Sequence, residues 1–187
     1  ISIVGDVSRA DAEAIAGRLT AGLPAGEAPV ASLNTTLPER QTIRVAHPSA
    51  QAHIAVGQPG IRRGDPDFFP LLVGNYILGG GGFVSRLTAE VREKRGYAYS
   101  VYSYFAPQRD VGPFQIGLQT KRSQAKDAIK VVREVLDGFL KDGPSDDELS
   151  AAKANLTGSF PLRLDSNKKL LDNAAAIGFY GLPLDYL

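Results

Sequence analysis

Apolar and polar positions along this chain follow two periods, one typical of strands and one typical of helices. Strand-like patterns occupy positions 1–4, 42–46, 51–57, 97–105 and 114–118. Helical spacing recurs over positions 12–19, 66–78, 84–91, 129–139 and 173–179, and a further helix is predicted after Ser145. Strands thus occur in antiparallel-looking pairs, with helices inserted in pairs. This order predicts the α+β class, a two-layer fold with a mostly antiparallel sheet and helices packed on one face.

Capping residues mark the beginnings of three predicted helices. Ser8 with Asp11, and Ser145 with Glu148, have the spacing of a capping box, in which the two side chains satisfy free backbone N–H groups. Ser166 is predicted to cap the last helix. Positions 23–41 contain prolines and glycine without a sustained period, and they predict a long connection.

A run of four glycines at positions 79–82 separates two predicted helices. The first is expected to begin at Asp65 and Pro66 and to end near Leu78. Its predicted buried stripe is Phe69, Leu72, Tyr76 and Ile77. The second, which ends at Gly96, has the predicted stripe Val84, Leu87 and Val91. The run lacks the lysine and hydroxyl pair of a phosphate loop, so a turn between helices is favoured, and a glycine-lined substrate path is the alternative.

The composition is that of an ordinary globular chain. Of its 187 residues, 43% are hydrophobic and 22% are charged, and the formal net charge is +1. A charge this close to zero removes the electrostatic argument for a nucleic acid or an anionic membrane surface as a partner. No apolar run approaches the roughly 18 residues that a membrane-spanning helix needs, so no membrane partner is expected.

Two residue types are missing, because the chain has neither cysteine nor methionine. Without cysteine, a disulfide framework, a thiolate zinc site and a cysteine nucleophile are excluded. Position 1 is an isoleucine in a strand-like stretch, and no element follows the last residues. We therefore interpret residues 1–187 as a single domain of a longer protein, truncated at both ends.

The only two histidines, His47 and His53, flank the break between two predicted strands. No glutamate stands at helical spacing from them, so the paired-histidine helix of a zinc hydrolase is missing. An ordinary strand histidine is the favoured interpretation of each, and a two-histidine site is the alternative. A free-standing hydrolase that uses both is the least favoured function.

Tyrosines and cations are concentrated where a predicted helix gives way to a strand. Four of the seven tyrosines lie at positions 97–104, and the preceding helix end carries Arg92, Lys94 and Arg95. Strand propensity and the helix dipole explain such clusters without any function. The period of two predicts one strand face with Tyr97, Tyr99, Val101 and Phe105, and the other with Tyr102 and Tyr104.

A helix that stops at Gly96 would return the chain so that Tyr99 lies near Arg92. Their guanidinium and phenol groups are both hydrogen-bond donors, which suits a peptide carbonyl or a developing oxyanion. The pair cannot activate water by itself at neutral pH. It therefore predicts one half of a catalytic site.

Six segments together resemble the pitrilysin/insulinase family of zinc metallopeptidases, which includes the mitochondrial processing peptidase and the core subunits of the respiratory bc complex. These segments are 3–6, 51–57, 78–87, 91–96, 99–102 and 160–181. The block from Gly79 to Tyr102 is the most specific part. The chain most resembles the bacterial branch of the family, which is built from two domains or two subunits.

The resemblance implies the fold of a processing-peptidase-like half and a part in peptide hydrolysis. Family members have two similar halves around a chamber, and this chain corresponds to the carboxyl-terminal half. The zinc motif, His-x-x-Glu-His with a distal glutamate, belongs to the other half. We therefore expect no metal or cofactor site in this chain, zinc on a homologous partner half that is fused or separate, and a peptide substrate.

The resemblance also implies individual site residues. Arg92 and Tyr99 match the Arg and Tyr, seven residues apart, that the second half contributes; Tyr99 would donate to the oxyanion, and Arg92 would orient the substrate or Tyr99. The implied substrate-binding residues, at the place of a glycine-rich loop, are Gly80, Gly81, Gly82 and Phe83. The alternative function is a noncatalytic assembly module like the bc-complex core subunits. The compartment stays open, with the bacterial periplasm slightly favoured over the cytoplasm.

Overall fold

The computed structural model describes residues 1–26 and 36–187, and the chain divides into two compact units. One unit draws on Ile1–Asn34 and Gly158–Leu187, and the other is Thr35–Thr157. A single domain over residues 1–187 stays a prediction. Of the long connection predicted at positions 23–41, positions 27–35 lie outside the described residues.

The larger unit is built around a three-stranded antiparallel sheet. Its strands are β1 (Gln51–Pro59), β2 (Ala98–Phe105) and β3 (Pro113–Lys121), in the order β1-β3-β2. Ile116 of the central strand lies opposite Val56 of β1 and Ser103 of β2. The predicted α+β class with a mostly antiparallel sheet is confirmed.

Two predicted strands do not form. Residues 1–4 and 42–46 have no strand conformation, and Ile43 and Val45 are exposed. Alternation marks a segment that suits a sheet, but a strand also needs a neighbour that receives its backbone hydrogen bonds. Within the described part of the chain neither segment has such a neighbour, so these two predictions are wrong.

The described residues form five α-helices. They are α1 (Arg9–Thr20), α2 (Phe68–Asn75), α3 (Ala125–Asp142), α4 (Asp146–Gly158) and α5 (Asn167–Tyr180). Helices α1 and α5 belong to the smaller unit, whereas α2, α3 and nearly all of α4 belong to the larger one.

The predicted caps are confirmed at three helix beginnings. The Ser8 hydroxyl accepts a hydrogen bond from the Asp11 N–H group of α1, and Ser166 caps α5 in the same way. Before α4, the Glu148 N–H group donates to the Ser145 hydroxyl while the Ser145 N–H group donates to the Glu148 carboxylate. Local side-chain chemistry therefore sets these boundaries.

The core of the larger unit lies between one sheet face and the helices. Ile116, Leu118 and Val101 of the sheet are buried against Val132 of α3 and its neighbours. The opposite face of the sheet stays exposed, and its exposed side chains include His53, Tyr102, Tyr104 and Gln119. The prediction that helices pack on one face is confirmed.

The helix predicted at positions 66–78 is shorter and less regular than its pattern indicated. The Asp65 carboxylate accepts a hydrogen bond of 3.0 Å from the Asp67 N–H group, so the chain makes a turn there and α2 begins only at Phe68. Phe69 lies in the first turn and is 50% exposed, so its predicted burial is wrong. After α2 the chain widens into a π-helical turn, Tyr76–Gly80, which rotates the following side chains relative to an α-helix.

Candidate functional site

The helix that carries Arg92 is short, wide and anchored in the core. It is π-helical over Thr88–Glu93, and Leu87 and Val91 on its inner side are fully buried. Val84, predicted to share this stripe, is 74% exposed because it lies in a separate 3-10 turn before the helix begins. The buried side fixes the helix, and Arg92 emerges from it partly exposed.

A glycine turn returns the chain from this helix to β2. Gly96 has a φ of +62°, a left-handed conformation that side chains disfavour. Its N–H group donates to the Arg92 carbonyl, and the Tyr97 N–H group donates to the Val91 carbonyl, each at 2.9 Å. These bonds end the helix and start β2 directly beside it.

A β-bulge then turns Tyr99 out of the core. Ala98 pairs with Thr120 and Val101 pairs with Leu118, so β2 advances by three residues over the stretch in which β3 advances by two. The extra residue interrupts the alternation, and Tyr99 is 85% exposed. The prediction that Tyr99 shares a face with Val101 and Phe105 is therefore wrong, because it assumed an unbroken period of two.

Arg92 links the predicted site residues through its guanidinium group. The Arg92 Cζ atom lies 4.9 Å from the centre of the Tyr99 ring and 4.6 Å from the centre of the Phe83 ring. Both distances are typical of cation–π contacts. The Arg92 Nε atom is also 3.2 Å from a carboxylate oxygen of Glu93, in an exposed pair that contributes little. The predicted approach of Arg92 to Tyr99 is confirmed, and Phe83 joins them.

The Tyr99 hydroxyl is available for a ligand. Across residues 1–26 and 36–187 it has no hydrogen-bond partner, and the side chain is mostly exposed. The site therefore offers a phenol donor beside a permanently charged guanidinium. Such donors stabilise negative charge on a carbonyl oxygen, whereas neither is a base that removes a proton from water at neutral pH.

Three of the four glycines are closely packed, and the fourth turns the chain towards Arg92. A Cβ atom on Gly79 would lie 2.7 Å from a Leu87 methyl carbon, and one on Gly81 would lie 2.6 Å from the Tyr76 carbonyl oxygen. Gly82 has a φ of +61°, a left-handed conformation that favours glycine. The Gly81 N–H group donates to the Tyr76 carbonyl, so it does not face an anion. The predicted turn between helices is confirmed, and a phosphate loop is not formed.

An ion pair that sequence reasoning missed fixes the start of the Arg92 helix to the α3–α4 turn. Arg86 donates to the two Glu148 carboxylate oxygens at 2.7 and 2.6 Å, and to the Gly143 carbonyl at 2.9 Å. The hydrogen bonds from the Arg86 guanidinium to the carboxylate lower the pKa of Glu148 from 4.5 to about 2. The capping-box spacing identified Glu148 only as a cap, because a partner 62 positions away leaves no periodic signal.

We expect Glu148→Gln to lower the free energy of unfolding by about 1–2 kcal/mol at pH 7, less than the pKa shift alone implies because a third of the side chain is exposed. Because the folded-state pKa is depressed, this stabilisation is complete above about pH 4.5 and is lost as the pH falls towards 2. Urea unfolding at pH 7 and pH 3 measures it. The difference between wild type and variant should be smaller at pH 3.

A matched control for this ion pair is Glu134→Gln, which removes an exposed carboxylate 3.8 Å from Lys130. Exposed pairs of this kind contribute little, so the control should change the free energy of unfolding by less than about 0.5 kcal/mol. An equal difference between wild type and Glu148→Gln at both pH values would contradict the assigned pKa shift.

Metal ligands are scattered in the described part of the chain. Over residues 1–26 and 36–187, no group of three or more His, Cys, Asp or Glu side chains is placed to hold a metal ion. His47 and His53 are exposed and border an open hollow with Arg122, whose positive charge opposes a cation there. In the same residues, no helix has the length and apolarity needed to cross a bilayer.

A known protein family and a solved crystal structure with the same description both match this chain. The family described as the peptidase M16 inactive domain matches residues 1–156. The crystal structure of a peptidase M16 inactive domain from Pseudomonas fluorescens is 44% identical, with a TM-score of 0.90 over 97% of this chain and 43% of that one. A protease from Helicobacter pylori shares the fold, with a TM-score of 0.81 at 18% identity over 95% of this chain and 44% of that one.

Curated relatives are considerably longer than this chain. An uncharacterized zinc protease from Streptomyces coelicolor is 40% identical over 140 residues, which are 71% of this chain and 30% of the relative. A protein named as a non-peptidase homolog, from Helicobacter pylori, is 38% identical over 114 residues, which are 59% of this chain and 26% of the relative. The match therefore spans less than a third of either relative.

Proposed function

Since the chain belongs to the peptidase M16 family as one of its inactive domains, we propose that it is the non-zinc half of a zinc metalloendopeptidase. In this proposal Arg92 and Tyr99 complete a composite site whose zinc motif lies on a homologous partner half, fused or separate. The chain alone cleaves nothing. The observation that carries the proposal is the contact of the Arg92 guanidinium with the exposed Tyr99 ring at 4.9 Å. The family resemblance drawn from the sequence is confirmed.

The proposed roles follow from the chemistry of the two side chains. The Tyr99 hydroxyl donates to the oxygen of the peptide carbonyl as negative charge develops on it. Arg92 holds the Tyr99 ring through the cation–π contact and donates N–H groups to the substrate backbone. Zinc on the partner half would supply an activated water molecule, which neither residue can generate.

The substrate-binding role of the glycine loop has support from exposure. Gly80, Gly82 and Phe83 are exposed, and Gly81 is half-buried, so the loop presents backbone to solvent beside Arg92. Glycine lets an extended peptide approach the backbone closely. In the proposal these four residues line the path of the substrate.

We expect Arg92→Lys to lower kcat/KM for peptide hydrolysis by about 10- to 100-fold in the whole protein that carries both halves. Lysine keeps the positive charge but lacks the planar guanidinium group, which packs on an aromatic ring and donates several N–H groups in one plane. The measurement is steady-state hydrolysis of a fluorogenic peptide library by wild type and variant. Arg133→Lys on α3 is the matched control, because Arg133 is exposed and makes no contact with Tyr99. An unchanged kcat/KM for Arg92→Lys would remove Arg92 from the site.

A second candidate function is a noncatalytic assembly module. The observation that favours it is the Helicobacter pylori relative, which is named as a non-peptidase homolog. The presence of both Arg92 and Tyr99 favours the enzyme half. A His-x-x-Glu-His motif encoded before Ile1 or in a neighbouring reading frame supports the enzyme half, and its absence from both supports the module.

A further inference from the structure

We propose that Phe83 is a positioning residue that fixes the Arg92 guanidinium for the substrate, an inference that rests on the proposed function. Its ring centre lies 4.6 Å from Arg92 Cζ, which is closer than the Tyr99 ring. Among the described residues, Phe83 and Tyr99 make no ring contact with each other. Arg92 therefore bridges two separate aromatic rings, one from each side of the chain reversal.

Exposure argues against a packing role for Phe83. Its side chain is 73% exposed, and the neighbouring Val84 is 74% exposed, so neither contributes to the core. A phenylalanine on the surface does not stabilise the fold through burial. Its contact with Arg92 is the interaction that the structure gives it.

Hydrogen bonds on both sides of Phe83 fix the backbone that carries its ring. Gly82 has a φ of +61°, and the Gly81 N–H group donates to the Tyr76 carbonyl at 2.8 Å. The Ser85 N–H group and hydroxyl both donate to the Gly82 carbonyl, at 3.2 and 2.8 Å. The 3-10 turn Gly82–Val84 is thus held at both ends, and Phe83 projects from its middle.

Without Phe83, Arg92 would be held weakly on one side. Its ion pair with Glu93 is exposed, since Glu93 is 58% accessible, and such pairs constrain a long side chain little. An arginine side chain has many rotamers. Each ring that contacts it restricts these rotamers in the free protein, so the side chain loses less conformational entropy when substrate binds. Phe83 therefore acts on the substrate through Arg92.

The test is a double-mutant cycle in the whole protein that carries both halves. We expect Phe83→Leu to lower kcat/KM about 2- to 5-fold, while Phe83→Tyr, which restores a ring, should recover most of that loss. In an Arg92→Gln background, Phe83→Leu should have a smaller effect than in the wild type, because the part of its effect that depends on Arg92 is already lost. Val84→Ala is the control for a change at an exposed apolar neighbour, and it should leave kcat/KM unchanged. An equal loss from Phe83→Leu with and without Arg92 would overturn the proposal.

A second readout does not depend on activity. In the same protein labelled with [15N]arginine, the Arg92 side-chain N–H resonance is expected to be displaced by ring currents, and it is identified by its loss in Arg92→Gln. Phe83→Leu should shift this resonance towards the position of a free arginine, and Phe83→Tyr should keep it in place. A resonance unmoved by Phe83→Leu overturns the positioning role. If Arg92→Lys leaves peptide hydrolysis unchanged, the proposed function is wrong. The displacement of the Arg92 resonance in Phe83→Leu then still shows whether Phe83 positions the Arg92 guanidinium.

Discussion

Tyr99→Phe is expected to slow peptide hydrolysis by the whole peptidase by about 10²- to 10³-fold in kcat, which corresponds to about 2.7–4 kcal/mol of transition-state stabilisation. The substitution keeps the ring that contacts Arg92 and removes only the hydroxyl. Since the side chain is 85% exposed, the fold should not change. Steady-state kinetics with saturating peptide measures kcat directly.

The matched control is Tyr104→Phe on the same strand. The Tyr104 hydroxyl donates to the Gln115 side chain at 3.0 Å, on the sheet, and it has no contact with Arg92. Loss of this partly exposed hydrogen bond should leave kcat within about twofold of wild type. If Tyr99→Phe also retained its turnover, Tyr99 would have no place in the mechanism.

The parts of the fold that the sequence predicted are those set by local chemistry. The Ser145 and Glu148 capping box, the Ser166 cap and the alternation of Phe114, Ile116 and Leu118 each depend on residues a few positions apart. The strand predicted at 42–46 failed because its pattern contains no information about a partner strand.

The candidate site was predictable only in outline. A glycine stop at Gly96 between Arg92 and Tyr99 was sufficient to predict that the two side chains meet. Their orientation depends on a β-bulge and a π-helical turn, and a periodic pattern assumes that neither occurs. The Phe83 contact and the Arg86–Glu148 ion pair arise from tertiary packing, so no spacing in the sequence reports them.

Neither this chain nor a zinc-carrying half is expected to hydrolyse peptides efficiently by itself. This chain alone is expected to bind no zinc and to cleave no peptide, because Arg92 and Tyr99 are donors and cannot activate water. A zinc-carrying half alone is expected to hold the metal but to turn over slowly, since it lacks the donors for the oxyanion. Activity should therefore rise by at least about 10²-fold when the two halves are combined.

The most direct test of this account measures zinc content and peptide hydrolysis for this chain, for the zinc-carrying half and for the two together. We predict zinc bound only to the partner half, and rapid hydrolysis only when both halves are present. Hydrolysis by the combined halves should fall to the level of the zinc half alone when this chain carries Tyr99→Phe and Arg92→Lys together. Stoichiometric zinc on this chain, or full activity of the zinc half without it, would contradict the account.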